Sequence, residues 1–186
     1  MITLTGKFIT LKPMTIEHAE FVVKMRNLEH ARFVNRGSAT VEQQIDWIKS
    51  RPSNEINWMI YFQDQVIGQI SLYTISEQHK TAEAGRLMLS PDIPKGYPIS
   101  FEAILLVNTY AFYELKLNKV YGIVGSMNTG ALKLNDFIKM KREGVLREHF
   151  IFDYICQDCI CFGILRDEFI KVQEPFLKKV INLNKY

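Results

Sequence analysis

The chain has 186 residues, 47% of them apolar and 12% aromatic, with 23 basic against 20 acidic side chains. This length fits one domain, residues 1–186, with ample material for a core. No run reaches the ~18 apolar residues of a membrane span, no dense Lys/Arg block argues for nucleic acid, and the opening Met1–Lys7 lacks signal-peptide order, so a soluble cytoplasmic protein without membrane or nucleic-acid partners is expected.

Residues 2–12 alternate as a strand, broken at Gly6-Lys7 and stopped by Pro13. Thr15 opens a first helix, with Glu17 and Glu20 near its positive end and Ile16, Ala19 and Val23 on one face. Thr40 caps a second helix, striped by Val41, Ile45 and Ile48 and ended before Pro52. Strands follow at 56–63 and 66–75, joined through Gln63-Asp64-Gln65, and at 80–89, stopping before Pro91. A long helix runs from Pro98 to Leu115, with Ile104, Val107, Ala111 and Leu115 as its stripe. Pro98 suits the first helical position, where a missing N–H would go unbonded anyway. Val120–Gly125 reads as a buried strand and 129–138 as a helix. Two strands then flank Gln157-Asp158, read as a hairpin turn that sets Cys156 across from Cys159, and 167–182 is an amphipathic helix. A meander followed by a β-α-β-α unit mixes antiparallel and parallel pairing. The class is α+β, or mixed α/β, around one central sheet.

Cys156-x-x-Cys159, with Cys161 close by, is half of a zinc pattern, but no second Cys or His pair supplies the remaining ligands. The cysteines read as small buried hydrophobes, and no metal is expected. His18, His30, His79 and His149 do not cluster at ligand spacing, and Trp47 and Trp58 fit apolar stripes. The informative stretch is Pro94-Lys95-Gly96-Tyr97-Pro98-Ile99-Ser100, a glycine-bearing turn that opens the long helix, followed by Asn128-Thr129-Gly130-Ala131 at the mouth of the next. Helix mouths gather free N–H groups and partial positive charge, and so bind phosphate. Two of them, one strand apart, suggest a phosphate-bearing cofactor and an enzyme.

These motifs, in this order, resemble the GCN5-related N-acetyltransferases, in particular the subgroup of ribosomal-protein and sugar-nucleotide acetyltransferases. The similarity covers almost the whole chain: Leu4–Met14, Met25-Arg26-Asn27, Ala84-Gly85-Arg86-Leu87-Met88-Leu89, Lys95-Gly96-Tyr97, Asn128-x-x-Ala131 and Lys141–Arg147. The resemblance implies one mixed sheet of about seven strands, flanked by helices and splayed between strands 4 and 5. It implies acetyl transfer from acetyl-CoA to a primary amine by direct attack. The backbones of Met88 and Leu89 would hold the pantetheine amides. Lys95, Gly96, Tyr97, Ile99 and Ser100 would cradle the pyrophosphate, and Asn128, with Ala131 in the same motif, would bind the pantetheine arm. Arg26, Asn27 and Arg86 would bind the acceptor, or else Arg26 and Arg86 would tie the first helix to the sheet. Glu83 is the candidate base, or else an exposed strand residue.

The chain departs from the family pattern in three places. Ile93 and Pro98 stand at the first and last positions of the pyrophosphate loop, and Lys139-Met140 replaces a usual Gly-Phe. Losing one amide donor to Pro98 costs about 1 kcal/mol, roughly five-fold in affinity. Asn135 occupies the place of a general-acid tyrosine, and an amide can at most hydrogen-bond the leaving sulfur. The first-choice acceptor is an amino-sugar nucleotide. The alternatives are a protein N-terminus, an aminoglycoside, a polyamine, or a non-catalytic CoA-binding module. Exposed strand edges allow a homodimer.

Overall fold

The computed structural model describes residues 2–28, 33, 37–93, 95–152 and 154–183; Pro94 and His30 lie outside them. Among the described residues eight strands form one sheet in the order β1-β2-β3-β4-β5-β6-β8-β7. Eight replace the expected seven or so because the opening strand is two. β1 (Leu4–Thr5) folds back antiparallel on β2 (Ile9–Pro13), Leu4 opposite Leu11. That reversal is held from a distance. The N–H groups of Lys7, Phe8 and Ile9 all donate to the buried Glu102 carboxylate, the last two at 3.0 and 3.2 Å from its Oε2.

Thr15 takes extended geometry before a 3-10 turn, Ile16–His18, that runs into α1 (Ala19–Arg26). The buried face is Ala19, Val22 and Met25, while Ile16 is exposed and Val23 half-buried. The tighter opening turn advances each residue by more than the α-helical angle, which rotates the expected stripe. α2 (Val41–Ser50) is capped as anticipated, the Thr40 hydroxyl accepting from Gln43 N at 3.3 Å. β3 (Ile56–Phe62) and β4 (Gln65–Ser76) join through Gln63 and Asp64, both left-handed at φ 46° and 64°, as a two-residue hairpin requires.

β5 (Thr81–Leu89) leads to α3 (Ile99–Thr109), which continues as a π-helical turn over Tyr110–Glu114. Pro98 is the capping residue, not the first helical one: its carbonyl accepts the first intrahelical bond, from Glu102 N at 3.0 Å. The buried line on this helix is Ile99, Ala103, Val107 and Ala111, with Ile104 and Leu115 only partly covered. β6 (Lys119–Gly125), α4 (Thr129–Phe137), β7 (Lys141–Phe152) and β8 (Ile155–Leu165) follow.

The hairpin turn expected at the cysteines is overturned here, although Cys159 is buried as expected. Cys156, Cys159 and Cys161 all lie along β8, and Phe152 pairs with Ile155, so the chain reverses before them. Gln157 and Asp158 serve instead as polar anchors inside the strand. Gln157 Oε1 accepts from Met127 N at 3.0 Å, and Asp158 Oδ1 from Glu148 N at 2.8 Å. The expected C-terminal helix is segmented into α5 (Arg166–Glu168), a π-helical turn (Phe169–Gln173) and α6 (Glu174–Leu183). No helix among the described residues is long and apolar enough to cross a membrane.

Alternation along the strands gives each sheet face its own core. Trp58, Ile60, Leu72 and Ala82 pack with Ala103, Val107 and Phe112 on the α3 side. Met59 packs with Met14, Ala19, Val22 and Ile48 on the α1–α2 side. What positions the site is the one parallel contact among the described strands. β5 and β6 pair only at Thr81↔Lys119, Ala82↔Val120 and Glu83↔Tyr121. Beyond Glu83, β5 runs on to Leu89 against β4, and β6 to Gly125 against β8. The sheet therefore parts into two wings at the level of Glu83.

Candidate active site

Both strands of the parting lead at their carboxyl ends into helix mouths, the place where open sheets with parallel strands receive ligands. On the β5 side, Gly96 sits at φ 90°, a conformation L side chains rarely adopt. Tyr97 is wedged edge-on against Phe8 and Phe62, at ring-centroid distances of 5.3 and 4.8 Å. Pro98 then caps α3, whose first-turn N–H groups, on Ile99, Ser100 and Phe101, have no intrahelical partner. The proline costs only the capping amide and leaves that turn intact. Phe101, which sequence reasoning missed, supplies the third donor. Lys95 is exposed beside it, and Ile93 is turned toward the core rather than the loop.

On the β6 side, Asn128 caps α4, its Oδ1 accepting from Ala131 N at 3.1 Å. Its side chain is thus fixed by Ala131, which leaves the Nδ2 donor for a ligand. Asn135, one helical turn on from Ala131, donates its Nδ2 to Ala131 O at 3.0 Å and is folded along its own helix.

The inner edge of β5 is shaped by a bulge. Ser71 pairs with Gly85 but Gln69 with Met88, so Arg86 and Leu87 carry the surplus, and Arg86 is left-handed at φ 54°. Ser90 N donates to Ile67 O at 2.8 Å. By alternation along an antiparallel ladder, Met88 then faces β4, and the N–H and C=O of Leu89 face the parting. Of the two backbones expected to hold pantetheine, that of Leu89 opens to the parting, while the Met88 side chain, 4% exposed, packs with Met25.

Glu83 stands at the apex. Its Oε1 accepts from the Tyr73 hydroxyl at 2.8 Å. Burial raises its proton affinity above the ordinary carboxylate value, opposed by the Tyr73 hydrogen bond, the Arg86 charge and the Ile123 N–H across the parting. An exposed strand residue would feel none of these. Arg86 donates Nη1 to Glu55 Oε1 at 3.0 Å and to Asn57 Oδ1 at 3.1 Å, its guanidinium 4.3 Å from the Tyr73 ring centroid and 5.4 Å from that of Trp47. Its ion-pair partner is thus the residue just before β3, not the first helix. Arg26, half-buried on α1, has its proton affinity lowered first by desolvation and then by the nearby Arg86 charge. Asn27, at the exposed end of α1, is not drawn into this cluster.

The structure therefore gathers Glu83, Arg86 and Arg26 on one face of the parting, and Gly96–Ser100, Asn128 and Ala131 at its two helix mouths. Tyr73, Glu55, Asn57 and Tyr121 join the first group unannounced, because cross-strand neighbours depend on register, which a single strand's pattern does not reveal, and Trp47, read from its apolar stripe as core, reaches Arg86 from α2. Among the described residues no group of acidic, histidine or cysteine side chains is arranged to hold a metal.

Comparison with known proteins agrees with this geometry. Residues 9–137 match the family model of the acetyltransferase (GNAT) domain. The chain is 26% identical over 174 residues to the SPbeta prophage-derived uncharacterized N-acetyltransferase YokL of Bacillus subtilis, an alignment covering 89% of this chain and 94% of that one. In fold it resembles a GCN5-related N-acetyltransferase from Brucella melitensis, with TM-score 0.80 and 19% identity over 95% of this chain and 84% of that one. It also resembles a mutant of the spermidine N-acetyltransferase SpeG from Vibrio cholerae, with TM-score 0.78 and 20% identity over 89% and 98% of the two chains. With the family model spanning most of its length and the parted sheet at its centre, the chain belongs to the GNAT acetyltransferases and is an N-acetyltransferase.

Proposed function

We propose that this enzyme takes its acetyl group from acetyl-CoA and passes it to a primary amine by direct attack. The supporting observation is the parting of β5 from β6 beyond Glu83, flanked by the mouths of α3 and α4. The first-turn N–H groups of α3 and the Gly96 bend suit a diphosphate. The inward backbone of Leu89 and the Nδ2 of Asn128 suit the amides of an extended arm. Bound there, acetyl-CoA supplies an activated thioester.

The chain's own contribution is positional and protonic. An amine must be neutral to attack, and Glu83, at the apex with its proton affinity raised by burial, accepts the ammonium proton directly or through one water. Asn135 cannot donate a proton, so the sulfur leaves as thiolate with at most an amide hydrogen bond. Arg86, whose guanidinium lies over the rings of Trp47 and Tyr73, and Arg26, near enough to feel its charge, put two cations on this side of the parting, which suits an acceptor that carries phosphate. An amino-sugar nucleotide is the acceptor that fits this pairing. A second copy of the chain could pair along the exposed edge strand β7.

Thiol release from acetyl-CoA, followed across uridine-diphosphate amino sugars, spermidine, aminoglycosides and peptides with free N-termini, tests the reading. Turnover confined to an amino-sugar nucleotide is the expected result. Binding of acetyl-CoA without release for any amine would leave only a CoA-binding module.

A further inference from the structure

We propose that Tyr73 is the positioning residue of this site: its hydroxyl, 2.8 Å from Glu83 Oε1, holds the carboxyl group at the apex of the parting, turned toward the arriving amine. The inference rests on the acetyl-transfer reading for its purpose, but its evidence is independent of any acceptor.

The hydroxyl is placed by its surroundings and not by chance contact. Tyr73 lies directly opposite Glu83 in the β4–β5 ladder. Its ring carries the Arg86 guanidinium at 4.3 Å. A Cβ on Gly85 would fall 2.8 Å from the Tyr73 hydroxyl, so glycine there leaves the space that the phenol occupies. Arg86 is itself fixed by Glu55 and Asn57, so Tyr73 is held from its ring as well as from its tip. The neighbouring phenol on β6, Tyr121, shares a hydrogen bond with Thr74 at 3.1 Å and takes no part in this contact.

The charged and polar groups facing Glu83 are therefore few: Tyr73 from β4, Arg86 from its own strand, and the Ile123 N–H from β6. Each favours the ionised carboxylate. Burial beside Glu83 pushes the Tyr73 phenol far up, which keeps it a donor across the working pH range. A donor that never ionises can fix a base without competing for its proton.

The test is Tyr73→Phe, read by carbon-13 NMR of carboxyl-labelled glutamate, the Glu83 signal assigned by its loss in Glu83→Gln. The expected result is an upward move of the Glu83 titration midpoint by about half to one pH unit, with calorimetric acetyl-CoA affinity kept within about two-fold. With an amine that turns over, the acid limb of kcat/KM moves the same way. An unmoved or lowered Glu83 midpoint overturns the proposal. Should Tyr73→Phe fail to fold, Gly85→Ala displaces the same hydroxyl and must give the same upward move. Because no acceptor is needed for the titration, its failure is separate from failure of the acetyl-transfer reading, which calorimetry with acetyl-CoA reports by itself.

Discussion

Glu83 is where chemistry and stability oppose each other. Burial lifts its carboxyl above the unfolded value, so what it contributes to stability is present at low pH and is lost as pH rises through the raised value. Once ionised, its charge is held against the fold. Glu83→Gln should therefore raise the melting temperature by about 1–3 °C while lowering kcat/KM by roughly 10²–10⁴. Calorimetry and steady-state kinetics check the pair. Wild-type kcat/KM should rise with pH through an acid limb above the ordinary glutamate range, and Glu83→Gln should lack that limb. Glu102 is the opposite case, a buried carboxylate whose work is structural. Glu102→Ala orphans the N–H groups of Lys7, Phe8 and Ile9 and should cost about 2–4 kcal/mol in urea denaturation, with acetyl-CoA affinity little changed. Sequence could nominate Glu83, because it directly precedes the Ala84-Gly85-Arg86 motif. It could not nominate Glu102 or Tyr73, whose partners lie across the sheet or at the far end of the chain.

At the scale of elements, capping and turn chemistry were legible and faces were less so. Thr40, Asn128 and the Gln63-Asp64 turn do what their residue types suggest, because each acts within three or four residues. The first helix turned a different face inward because a 3-10 turn precedes it, and the last was segmented by a π-helical turn. Neither leaves a mark in apolar spacing. The cysteine strand was misread for a related reason. Gln157 is 5% exposed, and its polarity signals a hydrogen bond to the β6–α4 connection rather than a turn. The same strand gives a direct check. Burial pushes the Cys159 thiol up to about 11, while Cys156 is exposed. Brief alkylation at neutral pH should therefore modify Cys156 well before Cys159, as peptide mapping would show; equal labelling would restore the hairpin reading. At the mouth of α3, Gly96→Ala must force φ 90° on a residue with a Cβ. It should cost about 1 kcal/mol of stability and weaken acetyl-CoA binding several-fold.

For the whole molecule, one feature organises the rest: a sheet continuous at its base and parted at its top. Its two wings, β1–β5 and β6–β8–β7, share only three paired positions. Each wing delivers one helix mouth to the opening, and the core on each face holds the helices that surround it. The β-α-β-α order implied a crossover between parallel strands, but composition and periodicity alone do not say where those strands separate. The family resemblance supplied that expectation, and the register confirmed its place. A ligand that bridges the wings should slow amide exchange in both at once, most at Leu89 on β5 and near Asn128 beyond β6. The most direct measurement is isothermal titration of the full chain with acetyl-CoA. One site per chain with micromolar or tighter affinity is expected, weakened several-fold in Gly96→Ala. No heat of binding, or binding unchanged by that substitution, would contradict it.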